Sequence, residues 1–464
     1  MSITPFTIVL LLCYVKIFLS QDRKIRFLQT VVITMICSIV IYMGYVVKLS
    51  SESTIPFSTL AWLVNAYSAY QLNHSYGTNI HIPIVSKKVQ LYLLCLLITI
   101  VSFYFYRYDK PVIENSDYTG FMQNMTGYAM LSDSSIKFGY IINSVLFCYI
   151  IYTMYKFLRI TDLIYVGDRF IKYTSIVLVF GFVEFIMENF FNSLAVTNLA
   201  VDILGSSGVQ QIMINYDRGW SNIQVFTKEA SMFSASMLYS VVIAINMIIL
   251  NGRKKIYLYY LVGSLLLMIL NTSMSSYVYV CLIVVLISYL RPFAKNTLSI
   301  STNSKFSIWI FAIIVLLLTS PTVLMSDSYL AERLNESLAQ FDGFSDNSFT
   351  YSSEGLRYFG IYHCLSIFVD HPLFGVGYGC VSCVSGIVTL LTNAGIMGLF
   401  SYIILLLPNI KLKALDKTLM TVLLIVGPNL LLNDLHTMFA LVIPFTMIQT
   451  GYIINAKNTN YEIS

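Results

Sequence analysis

What this sequence has little of is charge. Only 11% of its 464 residues are Asp, Glu, Lys or Arg, against about 25% in a typical soluble domain. The 28 basic and 23 acidic residues leave a net charge of +5 at pH 7, and no stretch concentrates them. Without a basic block or an aromatic–basic ribbon, nucleic acid is not expected as a partner. No phosphate loop of the P-loop type occurs, so ATP is not indicated as an energy source. Internal repeats, low-complexity segments and a soluble domain are also missing. The stretch MSITPFTIVLLLCYVKIFLS lacks a basic n-region and a small-residue cleavage site, so it is read as a first span rather than a cleaved signal.

What is there is apolar. Hydrophobic residues make up 57% of the chain, and the mean hydropathy is +0.74. A soluble protein of this composition would expose large apolar patches and aggregate, so lipid is the expected solvent. A span needs ~20 apolar residues to cross a ~30 Å hydrocarbon core. The runs that qualify are 3–20, 27–48, 56–72, 89–106, 138–158, 173–196, 231–250, 256–271, 275–290, 306–324, 387–408, 417–433 and 437–454. The 256–290 block is split at Asn271-Thr272-Ser273 because it is too long for one span. The fold class is therefore an all-α polytopic bundle of about 12–13 transmembrane helices filling residues 1–464 as one membrane domain.

Orientation follows from Lys and Arg. One set of alternate connections carries Arg23, Lys24, Arg26, Lys87, Lys88, Arg159, Arg169, Lys172 and Arg253–Lys255. The same side takes Arg291, Lys295, Lys305, Lys411, Lys413, Lys417 and Lys457. The other set is poor in both residues although its loops are longer. With thirteen spans the N-terminus is outside and the C-terminus cytoplasmic. Two long loops, 197–230 and 325–386, fall on the external, periplasmic side. Loops of that length are usually functional when they are not disordered. In the second, Leu330, Leu334, Leu338 and Phe341 recur at helical spacing, as in an amphipathic surface helix. Residues 358–369 are apolar but too short to span, so they read as re-entrant or interfacial.

Several residues could carry chemistry. Arg218 and Arg357 sit in the two external loops. A guanidinium fork suits phosphate oxygens, so two facing one cavity could hold a diphosphate. Each also fits a solvated loop charge. Glu184, Glu188 and Asn192 fall at i, i+4 and i+8 of one span and share a face, where an intramembrane carboxylate serves a site or a packing contact. Gly375, Gly377 and Gly379 alternate in a run that opens at His371-Pro372, which fits a backbone approaching a ligand or a tight turn. His363, Cys364, His371, Cys380 and Cys383 lie in the same loop. A metal, a disulfide and plain packing cysteines all remain open there, and neither a metal nor a cofactor is expected.

Residues 354–400 resemble the signature region of the O-antigen polymerase and ligase superfamily. The matching elements are Arg357, His371-Pro372-Leu373-x-Gly375-x-Gly377, and Asn393-Ala394-Gly395-Ile396-x-Gly398 at the opening of a span. Arg218 followed by Phe226-Thr227-Lys228-Glu229-Ala230-Ser231 resembles the end of the family's first external loop, and Asn271-Thr272-Ser273-x-Ser275 resembles its hairpin between two spans. About residues 180–430 are covered. Two departures stand out. Val384-Ser385 occupies the place of the His-Asn pair usual in ligases, and the spacing Arg-x10-Gly of some polymerases is absent from both loops.

The resemblance implies a glycosyltransferase of the bacterial cytoplasmic membrane. It would join undecaprenyl-diphosphate-linked repeat units into an O-antigen or capsular polysaccharide at the external face. It would work without a metal, beside membrane lipids, and it allows a chain-length regulator protein as partner. Arg218 and Arg357 would grip the diphosphate. The resemblance leaves the base unassigned; the residues themselves offer Glu229, His371 or Glu188 as candidates, with Glu184, Glu188, Gly375, Gly377 and Ser273 as candidates to meet substrate. Ligase activity and a lipid-linked oligosaccharide flippase or transporter remain the alternatives. A transporter is expected to have inverted repeats and helices broken near the midplane.

Overall fold

The computed structural model describes residues 2–41, 44–48, 54–76, 83–105, 138–205, 223–227, 230–252, 254–271, 276, 279–280, 283, 353–378 and 385–406. These are mostly helical. The helices are α1 (Pro5–Phe18), α2 (Arg23–Ile39), α3 (Phe57–Tyr76), α4 (Pro83–Phe105), α5 (Phe138–Phe157), α6 (Ile160–Phe191), α7 (Ala195–Leu204), α8 (Ala230–Asn251), α9 (Lys255–Leu270), α10 (Ser353–Asp370) and α11 (Gly386–Leu406). The expected spans 306–324, 417–433 and 437–454 lie outside the described residues, as does the amphipathic segment 330–341. Of 275–290, only Ser276, Tyr279, Val280 and Ile283 are described.

Helix starts follow local chemistry. Pro5 opens α1 with a φ already set for helix. Asp22 caps α2 by accepting from Lys24 N at 2.7 Å and Ile25 N at 3.2 Å. Asp162, at the third position of α6, reaches back to Arg159 N at 2.9 Å. Asn192 ends α6 in the left-handed conformation at φ 48°. It therefore lies past the last helical turn and does not continue the face of Glu184 and Glu188, contrary to the i+8 expectation. The left-handed cap turns the chain away from the helix there.

The expected span 27–48 is not one helix. α2 stops at Ile39, and Tyr45–Lys48 forms a strand, β2. It pairs antiparallel with β1 (Ser2–Ile3) on one side and β3 (Thr54–Pro56) on the other. The all-helical expectation is thus corrected by a small three-stranded ribbon. β-Branched Val46 and Val47 suit a pleated strand. The Thr4 and Thr7 hydroxyls, at the start of α1, donate to Tyr45 O at 3.1 Å and Val46 O at 3.0 Å. At Gly205, after α7, an added Cβ would meet the Tyr45 ring and the Thr4 methyl.

α8 is the hub. Every residue from Phe233 to Met247 is buried. Its Ser and Ala positions let neighbours come close, as small residues do between membrane helices. Gly181 of α6 brings that helix against Leu267 of α9, where an added Cβ would lie 2.9 Å from Leu267 Cδ1. α2 packs on α3 and α6, α6 on α9, and α4 on α11.

Outward, α6 shows a continuous apolar stripe of Tyr173, Ile176, Val179, Val183, Ile186 and Phe190, all exposed. Ile160–Phe191 and Gly386–Leu405 are long and apolar enough to cross a membrane, by length and composition alone. Shorter apolar helices include Pro5–Phe18, Ser144–Phe157, Met232–Ile248 and Lys255–Leu270.

Candidate functional site

Two assemblies hold the residues that the sequence singles out. The first is built on Glu184, two turns before the end of α6 and fully buried. Its carboxylate accepts from Val225 N at 2.7 Å, Gln224 N at 3.3 Å and Thr197 Oγ1 at 3.2 Å. Thr197 Oγ1 also lies 2.9 Å from Glu188 Oε1. The turn that Glu184 holds is closed on itself, because Thr227 N and Oγ1 both donate to Gln224 O at 2.9 and 2.7 Å. Val225 has φ 47° and is fully buried. A β-branched residue rarely adopts the left-handed region, and it stays there only where surrounding contacts hold it. Phe226 packs on Phe180 of α6, with ring centroids 5.4 Å apart.

Beside it, Asn271 at the end of α9 donates to Ala230 O at 3.0 Å and to Ser234 Oγ at 3.1 Å. Ser234 Oγ in turn bonds Ser276 Oγ. The end of α9 is thereby tied to the first turn of α8. Glu229 itself lies outside the described residues, but Thr227 before it and Ala230 after it are both anchored and buried. Arg218 and Ser273 also lie outside the described residues.

The second assembly joins residues 371–378 to α11. α11 is broken at Gly395, which has φ 65° and ψ −171°. In an unbroken helix Ile396 N would bond Thr392 O, and Met397 N would bond Asn393 O. Here Ile396 N donates to Pro372 O at 2.9 Å and Met397 N to Leu373 O at 3.2 Å. Thr392 O and Asn393 O instead accept from Val376 N and Gly377 N, both at 3.0 Å. The inserted segment therefore takes up all four backbone groups that the break releases. The approach is close enough to require glycine on both sides. A Cβ on Gly375 would lie 2.6 Å from Ala394 N, and one on Gly395 would overlap the Leu373 carbonyl. Gly375 and Gly377 thus have a backbone neighbour that accounts for them.

His371 ends α10 and is partly exposed, its N–H donating to Ile367 O at 3.2 Å and Phe368 O at 3.1 Å. Arg357 lies in the first turns of the same helix, with its side chain outside the described residues. The 14 residues between them (371 − 357) span about 21 Å of helix at 1.5 Å per residue, too far for both to touch one phosphate. Cys380 and Cys383 also lie outside the described residues. His363 and Cys364 are buried in α10, where burial holds the His363 imidazole below its ordinary pKa. Among the described residues, no group of three or more His, Cys, Asp or Glu could hold a metal ion.

Below the inserted segment, Tyr378 OH lies 3.4 Å from Tyr92 OH. Tyr402 stands against Tyr92 and Phe147, at centroid distances of 6.2 and 5.8 Å. The cavity among Tyr92, Tyr378, Ala394 and Gly398 has a volume of about 10 Å³. That is about the space of one water molecule, so it admits no sugar.

Sequence reasoning missed Thr197, Val225 and Ser234. Thr197 lies thirteen residues after Glu184 in another helix, which no periodicity links to it. Neither a scan against protein-family models nor a search of the curated proteins finds a match for this chain.

Proposed function

We propose that this chain is a polytopic membrane glycosyltransferase that polymerises undecaprenyl-diphosphate-linked repeat units. One observation carries the reading furthest. Two of the short strings that carry the family resemblance, 371–377 and 393–398, interlock backbone to backbone and so form one structural unit. The outward apolar stripe of α6 supports the membrane setting.

Contacts at the helix ends support the proposed alternation of the connections between two faces. Lys24 pairs with Asp162 at 2.9 Å, Lys156 donates to Asn73 at 2.7 Å, and Tyr257 donates to Asp168 at 2.8 Å. Each joins segments that the Lys/Arg count assigns to the cytoplasmic side. The ribbon, Gly205 and the Glu184 turn join segments assigned to the external side.

In the proposed reaction the carrier diphosphate leaves as an anion. Arg218 and Arg357 would stabilise the developing charge, and a base would take the acceptor hydroxyl proton. Glu229, His371 and Glu188 are the base candidates, and the residues flanking Glu229 at 227 and 230 are anchored. His371 stands at the far end of α10 from Arg357.

A transporter is the second reading, favoured by the broken helix α11. In a transporter, the groups released by such a break face the cargo. Here the chain's own residues 372–377 occupy all four. Reconstitution separates the two readings. The purified chain in vesicles, given undecaprenyl-diphosphate-linked repeat units, is expected to yield longer carrier-linked glycan and free undecaprenyl diphosphate. Translocation with no new glycosidic bond would replace the polymerase reading with transport.

A further inference from the structure

We propose that Glu184 is a positioning residue rather than a substrate ligand: its buried carboxylate pins the C-terminal end of the first external loop to α6. Among the described residues, the three groups bonded to it are hydrogen-bond donors from this chain, two of them the consecutive backbone N–H groups of Gln224 and Val225. Consecutive N–H groups beside a left-handed residue form a nest for an anion. Here the acceptor oxygens are supplied by another helix of the same molecule.

The geometry has a clear direction of dependence. Val225 is β-branched, buried and left-handed, so this turn is not one its own residues prefer. Glu184 bonds it at 2.7 Å and Thr227 closes it. Lys228 and Glu229 follow directly, and Arg218 precedes the turn by six residues (224 − 218). Glu184 therefore sets where this part of the loop leaves the bundle. Its effect on activity rests on the polymerase reading. Its effect on the turn does not.

Trypsin reads the turn itself. Cleavage after Lys228 requires the residues around it, including buried Val225 and Thr227, to open into the protease site. When opening is fast relative to cutting, cleavage follows the open population. Glu184→Gln keeps the size of the side chain but turns one acceptor into an NH2 donor facing donors. The purified full chain in vesicles is expected to be cut after Lys228 about ten-fold faster in Glu184→Gln, a factor equal to ~1.4 kcal/mol of lost local stability. The global melting temperature should change little. Asp168→Asn, at the other end of α6, breaks the 2.8 Å ion pair to Lys172 and should leave that cleavage unchanged.

Given carrier-linked repeat units, Glu184→Gln should lower kcat more than it raises KM, because the loosened loop carries Arg218 and Glu229, which the proposed reaction uses in its chemical step. Faster cleavage in Glu184→Gln, with no polymer made even by the wild-type chain, would keep the positioning role and sink the polymerase reading. Unchanged cleavage after Lys228, or an equal rise in Asp168→Asn, would overturn the proposal.

Discussion

Gly375 and Gly395 are the residues at which one added methyl group would do most harm. Both have left-handed φ, 64° and 65°, and each faces backbone of the other's segment. Left-handed backbone alone costs a non-glycine residue ~1–3 kcal/mol, and backbone overlap cannot be relieved by a side-chain rotation. Gly375→Ala and Gly395→Ala should each lower thermal stability markedly. The double variant should cost less than the sum, because both break one unit. Gly252→Ala is the contrast: φ is 73° but nothing lies within 4 Å of the added Cβ, so about 1–2 kcal/mol is expected. Thermal melts of the four variants check this series. The alternating glycines were legible in the sequence as a place of close approach. Which backbone comes close was not, because the partner lies some twenty residues on. Val225 carried no signal at all, since its conformation comes from Glu184 and Thr227 and not from valine.

At the scale of elements, hydropathy found where helices lie but not where they begin: it started α2 at 27 and α6 at 173, whereas Asp22 and Asp162 anchor polar first turns that begin at Arg23 and Ile160. The end of α2 was not legible either. Hydropathy counts Tyr45-Val46-Val47 equally for an apolar helix or a strand, and the choice is made by Thr4, Thr7 and Ser2 about forty residues away. α6 offers a direct test of its solvent. Val179 is 61% exposed in the apolar stripe. In water Val179→Arg would be nearly neutral, whereas at the centre of a bilayer it costs ~2.5–3.5 kcal/mol. Membrane-inserted protein should therefore fall sharply in Val179→Arg, measured by carbonate-resistant yield.

α10 gives a pH test. Burial lowers the pKa of His363 from its ordinary 6.5. The neutral form is favoured by the fold, so its contribution is complete above about pH 6.5 and is lost as pH falls through the folded value. Melting temperatures at pH 7.5 and pH 5 should drop less in His363→Asn than in wild type.

At the scale of the whole molecule, the described helices gather around buried α8, and the Glu184 turn lies just ahead of its first residue. The bundle follows from composition, because few charges and long apolar runs leave little else to build. Glu184 and Glu188 were rightly grouped from their spacing, and Thr197 lies against both. Its arrival depends on the left-handed Asn192, which spacing cannot foresee. The central claim is polymerisation at the external face. Its most direct test is a glycan ladder from cells deleted for this gene and complemented with wild type, Arg218→Ala or Arg357→Ala at equal protein levels. The account predicts a single-repeat band in the deletion, a full ladder with wild type and no ladder with either variant. A full ladder in the deletion strain would contradict it.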